Sequence, residues 1–170
     1  MFKIGDKVIY GSAGICTVND ISTIDIEGVP KDKLYYILNP ETSTGGTVFA
    51  PVENCKVAMR KMLDAAGAEE LIASIPAIEP MPPVNDKARE ALYREAIKSC
   101  DCGQLIMIIK TLYLRGKERL ALGKRLSSLD ERYLKQAEEK LYVELAAALG
   151  IEKNAVGLYI TSRMDELLGE

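Results

Sequence analysis

Apolar and polar residues alternate along the first third of the chain, and small or polar residues separate the alternating runs. The runs are residues 6–11, 15–21, 33–38, 47–50 and 57–59. A period of two is typical of strands that bury one face. Short strands spaced about ten residues apart and joined by tight turns predict a small antiparallel β-barrel of SH3 or Tudor size.

The spacing of apolar residues becomes helical after Asp64, with a first short helix predicted to end at Ser74. Further helices are predicted over 86–99, from 101 through the apolar run 105–112, over 127–149 and over about 154–168. Asp86, Asp101 and Ser127 are expected to cap the helices that begin at these residues. Gly150 is expected to end the helix that Ser127 begins.

Residues 75–85 contain four prolines, which exclude a continuous helix or a central strand. This tract predicts an inter-domain linker. The expected organisation is a barrel at 1–62, a short helix with a Pro-rich linker at 63–85, and a helical domain at 86–170. The fold class is α+β, in which a small N-terminal antiparallel β-barrel of SH3 or Tudor type precedes an all-α C-terminal domain.

Length and composition favour a folded, cytoplasmic protein. The chain has 170 residues, of which 48% are hydrophobic and 28% charged, enough apolar material for real cores. Its longest apolar stretches are far shorter than the roughly 20 residues that span a bilayer, and no leader pattern is recognisable. We therefore expect no membrane partner, and reduced thiols at the four cysteines.

Enzymatic interpretations find little support in the residue types. The chain contains no histidine, which removes the commonest general base and transition-metal ligand. The turn at 11–14 lacks the spacing of a phosphate-binding loop and predicts a hairpin. Cys100 and Cys102 have no second cysteine pair or histidine near them, so a zinc site is not expected. We expect no enzyme activity, cofactor, metal or small-molecule substrate.

Charge is unevenly distributed along the chain. The net charge is −4 over residues 1–80, +3 over 81–150 and −2 over 151–170. Residues 98–125 hold seven basic and two acidic side chains, a local excess of +5. Five of the basic residues, at 115, 117, 119, 124 and 125, are expected to lie in one helix–helix connection. Such a concentration suggests a polyanionic partner, although a solvated helix face gives the same pattern.

Three segments of the first third resemble the opening domain of the CarD/CdnL family of bacterial transcription regulators: FKIGDKVIY at 2–10, GICTV at 14–18 and FAPVEN at 49–54. The resemblance continues into the family's C-terminal helical domain at residues 114–115, 126–127 and 131–146. It covers nearly the whole chain, with the two domains in the same order.

The resemblance implies that the barrel binds the β subunit of RNA polymerase, partly by sheet-edge contact. It also implies that the helical domain reaches promoter DNA at the upstream edge of the melted bubble and stabilises the open complex, with little sequence reading. The expected polymerase-binding residues, facing outward along an exposed edge, are Ile24, Val48, Phe49 and Pro51. The residues expected to contact the DNA backbone, without sequence specificity, are Lys87, Arg89, Arg115, Lys117, Arg119, Lys124 and Arg125.

Two departures from the family pattern change these expectations. Many members carry a tryptophan at the start of the first C-terminal helix, which wedges into the minor groove, whereas residues 84–87 here hold no aromatic. Arginines that grip the polymerase in some members correspond here to Ile24 and Phe49, so docking would be more apolar. The alternative is a protein-binding adaptor that makes no DNA contact, with its basic residues as solvated surface.

Overall fold

The structure is a computed structural model, and it describes residues 1–41 and 46–167. The described part of the first third forms five strands: β1 (Lys7–Tyr10), β2 (Gly14–Ser22), β3 (Tyr35–Pro40), β4 (Val48–Pro51) and β5 (Met59–Lys61). They make one antiparallel sheet in the order β4-β3-β2-β1-β5. The α+β class is confirmed, although β5 begins two residues later than its predicted run.

The turn between β1 and β2 is the hairpin that the sequence predicts. Tyr10 pairs with Gly14, and a single 3₁₀ turn, Gly11–Ala13, joins the two strands. Gly11 has a φ of 45°, and a Cβ there would lie 2.5 Å from Cγ1 of Val57. Glycine is therefore required at this position both by backbone conformation and by space.

The sheet buries one apolar face. The residues of this core are Val8, Cys16, Val18, Tyr36, Leu38 and Ala50. Phe2 packs edge-on against Tyr36, with ring centroids 5.6 Å apart. Within the described residues β4 and β5 form the two edges of this five-stranded sheet.

The rest of the described chain is helical. Its helices are α1 (Ala65–Ser74), α2 (Asp86–Lys98), α3 (Cys102–Ala121), α4 (Ser128–Leu149) and α5 (Val156–Leu167). Asp101 and Ser127 cap α3 and α4 as predicted, and Gly150 ends α4 with a φ of 67°. The cap of α2 was predicted wrongly: Asn85 accepts the N–H of Ala88 at 2.8 Å, and Asp86 is the first helical residue. The predicted end of the last helix at 168 lies outside the described residues.

The prediction of an inter-domain linker at 75–85 is wrong. The chain divides between Met62 and Leu63, so α1 and the proline tract belong to the helical unit. Met81 is 8% exposed, and its N–H donates to Oγ1 of Thr111 at 2.8 Å. Lys110 donates from Nζ to the carbonyl oxygens of Ile75 and Ile78. Proline prevents a helix here, but side chains of α3 supply the partners that hold the extended segment in place.

The helical unit has one core, centred on α3 and α4. Its fully buried members include Tyr93, Ile108, Leu112, Ala137 and Val156. The N–H of Leu63 donates to Oε2 of Glu144 at 2.9 Å, which ties the first residue of this unit to the middle of α4. None of the helices within residues 1–41 and 46–167 has the length and apolar character needed to cross a membrane.

Candidate interaction surfaces

Strand β4 lies at an edge of the sheet, with β3 as its neighbour on the inner side. The N–H of Val52 donates to the carbonyl oxygen of Leu34 at 3.0 Å, so these two residues form a hydrogen-bonded pair just beyond the ladder of β3 and β4. Hydrogen-bonded and non-hydrogen-bonded pairs alternate along an antiparallel ladder. Val48 and Ala50 therefore bond to β3, whereas the backbone groups of Phe49 and Pro51 point away from the sheet.

The side chains of β4 alternate in the same way. Ala50 is fully buried in the sheet core, and Val48 packs against that core from its margin. Phe49 is 38% exposed and stands opposite Ile37 on the other face. The prediction that Phe49 faces outward on an exposed edge is confirmed. The binding role assigned to Phe49, Val48 and Pro51 stays a prediction.

Ile24 does not belong to this surface. Its side chain is 9% exposed, so the expectation that it faces outward is wrong. Ile24 follows the end of β2 without continuing its alternation, because the chain leaves the sheet after Ser22. Outside a ladder the period of two no longer decides which side of the chain is buried.

The basic stretch is divided between a helix and a loop. Arg115, Lys117 and Arg119 lie in the last turns of α3, which continues to Ala121, and only Lys124 and Arg125 lie in the connection. The expectation that all five lie in the connection is therefore wrong. Since residues two apart point to nearly opposite sides of a helix, Lys117 does not share a face with Arg115 and Arg119.

Asp130, in the first turn of α4, receives hydrogen bonds from two arginines and a tyrosine. Nε of Arg115 lies 2.9 Å from Oδ2 of Asp130, and Nη2 of Arg89 lies 3.4 Å from Oδ1. The hydroxyl of Tyr93 donates to the same Oδ1 at 3.3 Å. Asp130 itself is fully buried, so this carboxylate joins α2, α3 and α4 through charged partners that replace its lost hydration.

Two expected DNA contacts are changed by this cluster. Arg89 is 7% exposed and also donates to Oδ1 of Asp86 at 2.7 Å, so its expected contact with a phosphate is wrong. Arg115 keeps about a third of its side chain exposed, but its Nε is engaged by Asp130. The hydrogen bond from Arg89, with the charge of that guanidinium, lowers the pKa of Asp86 below its ordinary value.

Tyr93 supplies the pH dependence of the same cluster. Its side chain is fully buried, and burial, together with the negative charge of Asp130, raises its pKa to about 12 from the ordinary 10.0. The folded protein therefore keeps a proton that the unfolded chain loses near pH 10, and stability falls as the pH rises from 10 to 12. Two pKa units correspond to about 2–3 kcal/mol.

We expect this loss to be reduced in Tyr93→Phe. Urea unfolding at pH 8, 10, 11 and 12 should give a shallower alkaline decline for the variant than for the wild type. Tyr142, whose pKa burial also raises to about 12, remains in both proteins and sets the residual slope. Equal slopes for the two proteins would contradict the assignment to Tyr93.

The remaining basic side chains stand in solvent. Lys87, Lys117, Lys124 and Arg125 are exposed, and none of them forms an ion pair within the part of the chain that the structure describes. Arg119 is partly buried, with its Nε donating to the carbonyl oxygen of Arg125 at 2.6 Å. The surface left for a polyanion is thus smaller than the sequence predicts, and it centres on the end of α3 and the following loop.

Sequence reasoning missed three features of the helical unit. Asp130 looked like an ordinary helix-cap acid, and its partner Arg89 is 41 residues away. A pocket of about 250 Å³ lies between the proline tract and α3, lined among others by Pro82, Val84 and Leu114. Leu120 and Leu122 are 72% and 73% exposed, which no hydrophobic periodicity had indicated.

The sheet unit and the helical unit each match a known domain family. Residues 2–63 match the CarD-like/TRCF RID domain, and residues 70–161 match the CarD C-terminal domain. The two matches follow one another along most of the chain and correspond to its two structural units. These are domains of transcription-related proteins that interact with RNA polymerase. The chain belongs to the CarD family.

Proposed function

We propose that this protein docks on the β subunit of RNA polymerase through the outer edge of β4, contacts promoter DNA through its helical unit, and stabilises the open complex. The observation that carries the docking proposal is Phe49, an aromatic side chain that is 38% exposed on an edge strand. A cytoplasmic location of the protein, where it would act in transcription, belongs to the same proposal.

Two kinds of contact are available at this edge. The outward backbone groups of Phe49 and the carbonyl of Pro51 suit an added strand, in which main-chain hydrogen bonds give affinity. The ring of Phe49 gives the apolar anchor that often dominates an interface. Because Ile24 is buried, Phe49 alone occupies an exposed position among the two that correspond to the arginines of other members. The contact would therefore be more apolar than theirs.

The DNA contact is supported by the exposed cations at the end of α3. Lys117, Lys124 and Arg125 are close in sequence, are exposed, and lie in the domain that the family implies for DNA contact. Lys87, at the start of α2, is a further exposed cation. Long basic side chains on a helix end and loop suit phosphates and carry no base-reading geometry, so binding would be largely independent of sequence.

A charge-reversal variant tests this contact. Each phosphate contact releases counterions, so affinity falls as the salt concentration rises. In a plot of log affinity against log salt, Lys124→Glu/Arg125→Glu should make this negative slope less steep by about 2. Fluorescence anisotropy on a promoter duplex measures the slope, and the lifetime of the open complex should shorten in parallel. Lys33→Glu/Lys56→Glu, an equal charge change at exposed positions of the sheet unit, is the control. An unchanged slope in the first variant would contradict the proposed DNA surface.

One observation favours the adaptor as a second candidate function. Arg89, Arg115 and Arg119 each donate hydrogen bonds within the protein, which leaves fewer cations for a polyanion than the sequence contains. The same salt series separates the two functions. Binding to the β subunit without DNA binding at low salt would support the adaptor.

A further inference from the structure

The pocket between the proline tract and α3, here called the proline pocket, has mostly apolar walls. One wall is the extended segment 80–84, here called the proline segment. The other wall is formed by residues 111, 114, 115 and 118, a spacing that puts four side chains on one side of α3. Leu114 is 48% exposed and Val84 is 39% exposed, so both walls present apolar surface to solvent.

The proline segment holds its shape without a ligand. Proline fixes its own φ and restricts the residue before it to extended conformations, and residues 80, 82 and 83 are prolines. The segment is anchored at Met81 by the hydrogen bond to Thr111, and it is followed by Asn85, which caps α2. A wall that is fixed in advance loses little conformational entropy on binding, and aromatic side chains recognise extended proline-rich segments for that reason.

The charged groups around the pocket leave one carboxylate without compensation. Arg89 and Arg115 line the pocket, and both donate to Asp130. Arg89 also donates to Asp86, so these two cations meet two carboxylates. Glu118 is exposed and has no ion-pair partner within residues 1–41 and 46–167. The pocket therefore combines apolar walls with one unbalanced negative charge.

Size and charge indicate what the pocket accepts. Small-molecule sites commonly measure roughly 300–1,000 Å³. The proline pocket, at about 250 Å³, suits a single large side chain better than a cofactor. An aromatic ring packs well on proline and leucine side chains and on a guanidinium such as that of Arg115, which Asp130 holds in place. A lysine or arginine beside that ring would be attracted by Glu118. A DNA base is also flat, but its phosphates would be repelled by Glu118 and Asp86.

We propose that the proline pocket is a docking site for a partner protein, which inserts one aromatic side chain and carries a basic residue beside it. The ring would lie between the proline segment and Leu114, and the partner's cation would pair with Glu118. The site is separate from the contacts proposed above, because neither the outer edge of β4 nor the exposed cations at 117, 124 and 125 line it. The helical unit would thus have a protein-binding surface of its own.

The test uses the full-length protein and acetyl-Lys-Trp-Lys-amide as a basic probe. The chain contains no tryptophan, so indole fluorescence reports on the probe alone. Binding to the wild type should shift the emission to shorter wavelength, because the ring leaves water, with a Kd of about 1 mM for this single anchor. An acidic probe, acetyl-Glu-Trp-Glu-amide, should bind about tenfold more weakly, because its carboxylates are repelled by Glu118.

Two variants with matched controls locate the site. Leu114→Ser should weaken binding of the basic probe about tenfold. Leu120→Ser, at an exposed leucine of the same helix that does not line the pocket, should bind like the wild type. Glu118→Gln should remove most of the difference between the two probes, whereas Glu131→Gln, at an exposed acid of α4, should keep it. Urea unfolding checks that each variant is folded.

Several results would overturn the proposal. An emission spectrum that the wild type does not change rules out the site. Equal binding by Leu114→Ser and Leu120→Ser places the probe elsewhere, and a difference between the probes that persists in Glu118→Gln removes the role of that carboxylate. Adenosine, a flat base without a phosphate, should not displace the basic probe. Displacement by adenosine that Leu114→Ser abolishes would mean that the pocket takes a base and no protein side chain. None of these measurements involves polymerase or DNA, so their outcome is independent of the proposed function.

Discussion

Replacing Asp130 by alanine should destabilise the helical unit by about 3–5 kcal/mol, because the change leaves Arg89 and Arg115 without their shared carboxylate. Arg89 is the more costly of the two, since it is buried and keeps only Asp86 as a charged partner within the described cluster. Domains of this size have total stabilities of about 5–15 kcal/mol, so the loss is a large fraction of the whole. Urea unfolding monitored by circular dichroism measures it.

The control for this variant is Glu131→Ala. Glu131 is the next residue and also lies in the first turn of α4, but its side chain is exposed. Its loss removes only a favourable interaction with the helix dipole, about 0.3–1 kcal/mol. A double change, Asp130→Ala with Arg115→Met, should lose less than the two single changes together, since the pair is coupled. Equal destabilisation by Asp130→Ala and Glu131→Ala would contradict the role given to the cluster.

Replacing Phe49 by alanine should weaken binding to the polymerase β subunit by about 10–100-fold, which corresponds to about 1.4–2.8 kcal/mol. Because the ring stands on the outer face of an edge strand, the free energy of unfolding should change little. Binding is measured by surface plasmon resonance with the full-length protein. Ile4→Ala, at a residue that is 63% exposed elsewhere in the sheet unit, should bind like the wild type.

A second substitution at the same position separates the ring from the strand edge. Phe49→Pro removes the ring and also the outward N–H, while the ladder bonds of Val48 and Ala50 to β3 stay in place. Proline is tolerated on edge strands where its missing N–H faces outward. If Phe49→Pro binds more weakly than Phe49→Ala, the difference measures what the outward N–H contributes through strand addition. Unfolding of Phe49→Ala together with loss of binding would mean that Phe49 supports the core and is no surface anchor.

The parts of the fold that depend on neighbouring residues follow from the sequence. The side chains of Asp101 and Ser127 cap helices by accepting hydrogen bonds from N–H groups two or three residues further along the chain. Gly150 ends α4 through its own backbone conformation. The alternation that buries Ala50 and exposes Phe49 needs only the geometry of an extended strand. The exposure of Phe49 at the edge of the sheet was predictable for that reason.

The errors share a physical cause, which is a partner that lies far away in sequence. The proline tract looked like a linker because its hydrogen-bond partners, Lys110 and Thr111, lie about 30 residues further on. Arg89 looked like a surface cation because Asp130 lies 41 residues away. Local composition shows whether a segment is able to form a helix or carry charge. It does not show which distant side chain will bury it.

The short outer edge of β4 has a consequence for solubility. Exposed strand edges invite pairing between copies of the same protein, and such pairing is the first step of many aggregates. Here the strand has four residues and ends in Pro51, which has no N–H, so the outer edge offers a single donor, that of Phe49. Two copies that met edge to edge would form few mutual hydrogen bonds. A foreign strand with its own pocket for the phenylalanine ring gains more, so selectivity against self-association is built into the length of the strand.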